Sequence, residues 1–362
     1  MASTRSFTDS WRLLTPVILL MILGLINQYS ASATQQHATF YRQLAFYGAG
    51  AGLYLLLSRA MDYRVIGRLA GVFWVISLVM LAAVLIIGEA AGGSTRWVDI
   101  GFVRFQPSEL CKFTTAIAVA AEMARRNQPI LRFSELLRPL AIIGIPAVLI
   151  FVQPDLGTAA AMSLAALVLV VFGGIQRRIV LVVLSLALVG ATSAWFFALK
   201  PYQKTRVLTM LDPEKASAGS GYQVIQSKIA IASGGITGRG FLQGQLSHGK
   251  FLPEQHTDFA FAVFAEEWGL LGALTAMALM LWMLYEITSM ALGARESLGT
   301  YFCVGAAAYF FVAISVNTLM VLGWMPTVGI PLPFFTYGGS HTLVASLFLG
   351  LTQNVYGRRN LF

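Results

Sequence analysis

Four short stretches hold most of the residues whose types and spacing could do chemistry. The first runs from Arg96-Trp97 through Arg104 and Gln106-Pro107-Ser108-Glu109 to Lys112. Pro107-Ser108-Glu109 reads as a helix start, with a hydroxyl to cap it and an acid in the first turn. Glu109 and Lys112 share one helix face, either as a local ion pair or as a polar wall for an anionic substrate. The second stretch, Gln153-Pro154-Asp155-Leu156-Gly157-Thr158, is a tight turn whose Asp155 can cap the helix that follows.

The third is Pro253-Glu254-Gln255-His256-Thr257-Asp258-Phe259. Asp258 stands at the mouth of a long apolar run. Either it or Thr257 is a helix cap, or Asp258 is a general base at the boundary of water and membrane. Partial burial would lift its pKa towards neutrality, which suits proton abstraction from a sugar hydroxyl. Glu266 and Glu267 should lie about 12 Å deeper at 1.5 Å of rise per residue. The fourth stretch is 323–341, where Pro326, Pro331 and Pro333 rule out a continuous helix. It is apolar enough to stay at membrane depth, where irregular backbone survives only inside protein or beside a wet cavity. It should dip beside the last two spans and border the site.

Other patterns fall short. Gly244-Gln245-Leu246-Ser247-His248-Gly249-Lys250 has the spacing of a phosphate loop, but Phe251 replaces the required hydroxyl and no strand precedes it. Gly338-Gly339-Ser340-His341-Thr342 fails the nucleophile-elbow pattern at its last position. No histidines have zinc spacing. Cys111 and Cys303 read as structural thiols.

The elements that must position these stretches follow from composition. The chain has 362 residues, 57% of them hydrophobic and 11% charged, with a mean hydropathy of +0.71. Soluble domains carry about 25% charged residues. A chain this apolar is an all-α polytopic membrane protein. Its net charge of +9 is spread between apolar runs, not pooled as nucleic-acid binding requires.

Runs near the ~20 residues of a transmembrane helix lie at 13–32, 43–58, 67–88, 108–124, 137–153, 157–175, 179–199, 259–286, 300–323 and 339–356. Polar Gln35-Gln36-His37 after the first run argues for a permanent span over a cleaved signal. Ten spans put both termini on one side. Arg5, Arg12, Arg59, Arg64, Arg68, Arg125, Arg126, Arg132, Arg138, Arg177, Arg178, Arg295, Arg358 and Arg359 then share that side, and the short segments opposite hold only Arg42, Arg96, Arg104 and Lys112. By the positive-inside rule both termini are cytoplasmic. Residues 200–257 form a large external loop between spans 7 and 8, carrying Lys204, Arg206, Lys228 and Arg239 and a short interfacial helix near 222–231. The whole of 1–362 reads as a single membrane domain.

Arg96-Trp97, Gln106-Pro107-Ser108-Glu109 with Lys112, Gln153 to Thr158, Gln226-Ser227-Lys228-Ile229-Ala230, Pro253 to Phe259, and Pro331-Leu332-Pro333 with Tyr337-Gly338-Gly339-Ser340 closely resemble the SEDS (shape, elongation, division, sporulation) family. They occur in order from the first span to the last, and the Gln106 and Asp155 blocks are most similar to its rod-shape branch. The resemblance implies a peptidoglycan glycosyltransferase of the bacterial cytoplasmic membrane, serving cell elongation and rod shape. It would polymerise lipid II, the undecaprenyl-pyrophosphate-linked disaccharide pentapeptide, beside a class B penicillin-binding protein. It implies Asp258 as the catalytic residue, with Glu109 and Lys112 in the same cavity. Gln255 departs from relatives, which often have a basic residue there, so a direct role for it is not implied. Thr336, where Ser is common, is a neutral change.

An α-linked donor and a β-1,4-linked product require one inversion, hence one base and no covalent nucleophile; this extends the logic of inverting hydrolases. The candidate substrate-binding set is Arg96, Trp97, Gln106, Glu109, Lys112, Asp155, Lys204, Arg206, Lys228, Arg239, His256, Thr257, Tyr337 and Ser340. The leaving pyrophosphate needs cations. A divalent ion (Mg or Mn) could serve too, held by Asp155, Glu109 or Asp258, though nothing in the sequence requires one. Two other readings stay open: a lipid II flippase, in which buried Glu122, Glu266 and Glu267 would matter most, and a non-catalytic scaffold.

Overall fold

The computed structural model describes residues 2–32, 37–87, 89–91, 94–99, 104–126, 128–197, 199, 201–211, 220–245 and 254–359. Helices occupy each of the ten apolar ranges. These are α1 (Ala2–Ala31), α2 (Ala38–Leu55, followed by one wide turn at Leu56–Ala60), α3 (Tyr63–Ile87), α4 (Pro107–Arg126), α5 (Phe133–Val152), α6 (Leu156–Phe172) and α7 (Arg177–Phe197), then α10 (Ala260–Leu292), α11 (Ser297–Val321) and α12 (Gly339–Arg358). Between α7 and α10 lie α8 (Pro201–Leu211) and α9 (Ser220–Gly234), the second covering the expected interfacial helix. A small antiparallel sheet, β1 (Glu89–Ala91), β2 (Ser94–Asp99) and β3 (Arg104–Phe105), links α3 to α4.

Among the described residues six helices are long and apolar enough to cross a membrane: α1 from Trp11, α3, α5, α7, α10 and α11. The chain is a polytopic membrane protein. The helices that fail that test explain the packing. α4 carries Glu109, Lys112, Glu122, Arg125 and Arg126, and it is buried on almost every face from Pro107 to Met123. α12 is buried likewise, with Ser340, His341, Thr342, Gln353 and Asn354 all inside. Lipid solvates apolar helices as well as protein does, so the polar helices are the ones that gain from being surrounded. Aromatic rings fill the seam between them: Phe348 stacks on Tyr309 at 4.4 Å and meets Phe113 edge-on at 5.0 Å.

Two irregular segments reach into the bundle. After α9 the chain turns at Gly235 (φ +55°) and Gly238 (φ +86°) and lies against a break in α10 at Gly269 (φ +64°). The Arg239 and Gly240 amides donate to the Glu266 and Glu267 carbonyls at 3.0 Å each, while Leu270 and Leu271 donate to Gly235 and Ile236 at 2.9 and 3.2 Å. The break therefore leaves none of these four carbonyls orphaned. Glu266 and Glu267 sit at this break, not within a straight helix as their spacing suggested.

The second segment is 323–338, in the place expected for it. Phe334 and Phe335 are fully buried, and the Tyr47 hydroxyl donates to the Phe334 carbonyl at 2.8 Å. Gly24 of α1 lies against the Phe334 and Phe335 backbone with no space for a side chain.

Gly269→Ala should expose the dependence on the α10 break. Its Cβ would collide with the Gly238 nitrogen and the Ile236 carbonyl in a backbone region that disfavours side chains. We expect a loss of at least about 1–3 kcal/mol, seen as a lower unfolding temperature in detergent. Gly190→Ala, with nothing within 4 Å, should cause no loss.

Candidate active site

The turn that leads into α10 is held by bonds to its backbone. The Thr257 and Phe259 amides both donate to the Glu254 carbonyl, at 3.2 and 3.3 Å. α1 supplies two amide side chains and a carbonyl: Gln28 donates to the His256 carbonyl at 2.8 Å, Asn27 to the Ala260 carbonyl at 2.9 Å, and the Ala31 carbonyl accepts from Gln255 at 2.9 Å. The Tyr337 amide donates to the His256 carbonyl from the proline-rich segment at 3.0 Å. Asn317 of α11 donates to both the Asp258 carbonyl at 3.0 Å and the Ile330 carbonyl at 2.8 Å, tying turn and segment together.

These bonds spare the Asp258 carboxyl. The residue before α10 is Phe259, and no side chain caps that helix. Thr257 bonds Glu254 instead, through the carbonyl at 3.3 Å and the carboxylate at 3.1 Å. Both helix-cap readings are therefore set aside. Among the described residues no donor reaches the Asp258 carboxyl oxygens. Gly329 (φ +71°) faces them so closely that a Cβ there would stand 3.2 Å from Oδ2. The group is partly exposed yet hemmed in by protein. Burial, helped by the charges of Glu254 and Asp155 and opposed by Arg206, pushes its pKa from 3.8 up to about 7. A base poised near neutrality suits proton transfer at physiological pH.

A second turn stands close by. Asp155 caps α6, as expected, accepting from the Thr158 amide at 3.2 Å. Its other oxygen accepts from Gln106 at 3.4 Å and pairs with Arg96 at 3.7 Å. Arg96 also donates to the Gln153 and Pro154 carbonyls. Gln106 in turn donates its amide to the Ser340 hydroxyl at 3.0 Å, which joins the start of α4 to the start of α12. Arg206 reaches in from α8 to the Thr327 carbonyl at 3.2 Å. Trp97 is half-buried in β2.

Other expected residues are placed differently. Ser108 lies inside α4, and its buried hydroxyl has no partner among the described residues, so it caps nothing there. Glu109 and Lys112 form a buried ion pair at 2.6 Å, only 4% and 5% exposed, and Lys112 lies over the Tyr309 ring. The other Glu109 oxygen meets His341 Nδ1 at 3.2 Å, and Tyr309 OH lies 3.1 Å from the same nitrogen. The structure thus chooses the ion pair over an open polar wall. Arg239 donates to the Ser233 carbonyl at 2.9 Å, at the Glu266 level and two turns along α10 from Asp258. Lys228 is exposed on α9 with its stem across Gly323, and Lys204 is half-buried on α8. Glu122 pairs with Arg138 at 3.3 Å and Glu267 bonds Ser30, so packing accounts for both. Among the described residues no three His, Cys, Asp or Glu side chains could hold a metal ion. The phosphate-loop look-alike ends outside the described residues.

Sequence reasoning missed Asn27, Gln28, Tyr309, Asn317 and His341. A signal existed for the amides. Each interrupts an apolar run, where an unpartnered polar group would be expensive.

A family model described as a cell cycle protein, FtsW, RodA and SpoVE, matches residues 10–360. The peptidoglycan glycosyltransferase MrdB of Escherichia coli K12 is 36% identical over 354 residues, covering 96% of this chain and 95% of its own. A probable peptidoglycan glycosyltransferase FtsW of Thiomicrospira cyclica is 34% identical, covering 94% and 89%. Among solved structures, a chain from work on a peptidoglycan synthase complex and its coordination of polymerization and crosslinking superposes with a TM-score of 0.84. It is 33% identical over 97% of this chain and 98% of that one. The rod shape determining protein RodA of Thermus thermophilus gives a TM-score of 0.72 at 27% identity, covering 97% of both chains.

The buried pair can be tested by a double-mutant cycle. Lys112→Met leaves the Glu109 charge buried without its lysine and should cost about 3–5 kcal/mol. Adding Glu109→Gln should recover most of that loss, read as unfolding temperature in detergent.

Proposed function

The chain belongs to the FtsW, RodA and SpoVE family of cell cycle proteins, and from that premise we propose that it is a peptidoglycan glycosyltransferase. It crosses the cytoplasmic membrane ten times as one domain, with both termini inside. The end of the bundle that carries Asp258 faces outwards, as the distribution of arginines between the two ends supports. There it polymerises lipid II beside a class B penicillin-binding protein and serves elongation of the rod. The names of its relatives support this reading.

The observation that carries the chemistry is the Asp258 carboxyl, which meets no donor among the described residues in a turn whose Glu254, His256 and Asp258 carbonyls are all bonded. Asp258 takes the proton from the 4-hydroxyl of the acceptor's N-acetylglucosamine. That oxygen forms a bond to the donor's anomeric carbon as the bond to pyrophosphate breaks, inverting the centre and releasing undecaprenyl pyrophosphate. Arg206, anchored on Thr327, and Arg96, beside Asp155, are the cations placed to meet the leaving charge. A divalent cation carried by the substrate's own phosphates would add to theirs. Asn317 is a positioning residue, since it touches only backbone around the base.

Glycan formation from purified lipid II, with the protein reconstituted beside a penicillin-binding partner, tests this reading. Asp258→Asn should lower the rate by about 10²–10⁴-fold. The folded state holds the Asp258 proton more tightly than the unfolded chain does. The carboxyl therefore supports folding fully below pH 3.8, and that support is lost as pH rises through about 7. Asp258→Asn should then unfold no earlier than wild type at neutral pH. The same proton makes wild-type rate fall about tenfold per unit below pH 7. Near-normal polymerisation by a folded Asp258→Asn protein would remove Asp258 from the chemistry.

A further inference from the structure

At the end of the bundle opposite Asp258, a cavity of about 370 Å³ opens between the start of α3, the end of α4 and the start of α11. That volume is within the roughly 300–1,000 Å³ typical of small-ligand sites. Arg64, Arg68 and Arg125 line it against a single acid, Glu296. Glu296 is already committed: Arg64 grips it through Nε at 3.0 Å and Nη2 at 2.7 Å, and Tyr63 OH donates to it at 2.8 Å. Arg68 and Arg125 have no acidic partner among the described residues. The cavity is thus lined by two guanidinium groups, from α3 and α4, that no described acid compensates. Gly67 keeps the wall thin, because Leu298 fills the space where a side chain would go.

Guanidinium groups match phosphate oxygens in fork geometry. We propose that this cavity binds a phosphate group, with Arg68 and Arg125 as its ligands. The surroundings favour a lipid as the carrier. Leu69, Val72, Val75, Ile76 and Val79 form an exposed apolar stripe that runs along α3 from Arg68. An acyl chain lying on that stripe puts its headgroup phosphate at the cavity mouth. Basic pockets between transmembrane helices hold anionic headgroups in this way.

None of these residues belongs to the Asp258 site, so the inference stands independently of the proposed reaction. The test compares wild type, Arg68→Gln/Arg125→Gln and, as a control, Arg177→Gln/Arg178→Gln, which alters the same end of the protein outside the cavity. Native mass spectrometry reads retained lipid after equal exposure to phosphatidylglycerol and phosphatidylcholine. Wild type and control should prefer phosphatidylglycerol, and the cavity variant should bind it at least tenfold more weakly. A parallel arm reads thermal shift with inorganic phosphate in phosphatidylcholine nanodiscs. Stabilisation there that the cavity variant loses would confirm the site with a soluble anion as its ligand. If the cavity variant matches wild type in both arms, or the control falls as far as the cavity variant, the site does not exist. Both arginines are exposed, so a folded variant is expected, and its unfolding temperature without ligand checks this.

Discussion

Hydrocarbon offers no hydrogen bonds, and every other feature of this molecule follows from that. A polar group at membrane depth must find its partner inside the protein. Of the helices at the ten apolar ranges, the least apolar, α4 and α12, therefore sit where other helices surround them, and the strongly apolar α3 and α7 face outwards. The same requirement decides how the backbone is allowed to break. α10 interrupts itself at Gly269 only because the 235–240 segment offers matching amides and carbonyls. The proline-rich segment stays buried because Tyr47, Asn317 and Gln43 each bond one of its backbone groups.

That economy of partners makes one omission conspicuous. In the turn before α10 the carbonyls of Glu254, His256 and Asp258 are all bonded, from the turn itself, α1, α11 or the proline-rich segment. The Asp258 carboxyl meets no donor among the described residues, and it faces a glycine that leaves it room. Asp155, by contrast, is used three times over: as a cap, for Arg96 and for Gln106. Two carboxylates in neighbouring turns thus have opposite characters. One is committed to structural bonds. The other is kept basic by confinement and by the charges of Glu254 and Asp155.

The Glu109–Lys112 pair has a place in this scheme that an open binding wall would not give it. Buried and shared with His341 and Tyr309, it joins α4, α11 and α12 beneath the Gln106–Ser340 contact. It keeps the start of α12 in register with the start of α4, and so holds the proline-rich segment that leads into α12.

The apolar runs alone located a helix at each of ten ranges, with most ends within about five residues; α1 begins eleven residues before its run and α10 ends six beyond its own. Motif chemistry located both turns and identified Asp258 and Asp155, because a carboxylate at a membrane boundary is conspicuous in an apolar sequence. How each carboxylate is bonded was decided only by the fold. Thr257, Asp258 and Ser108 all had plausible capping positions, and none of them caps. Lys112 looked available and is spent; Arg239 looked external to the α10 helix and lies at its break. Asn27, Gln28 and Asn317 escaped notice although they hold the turn before α10, because their partners there are backbone carbonyls far away in sequence. Local pattern reports which groups are costly to bury. Which partner meets that cost depends on distances that exist only once the helices have packed.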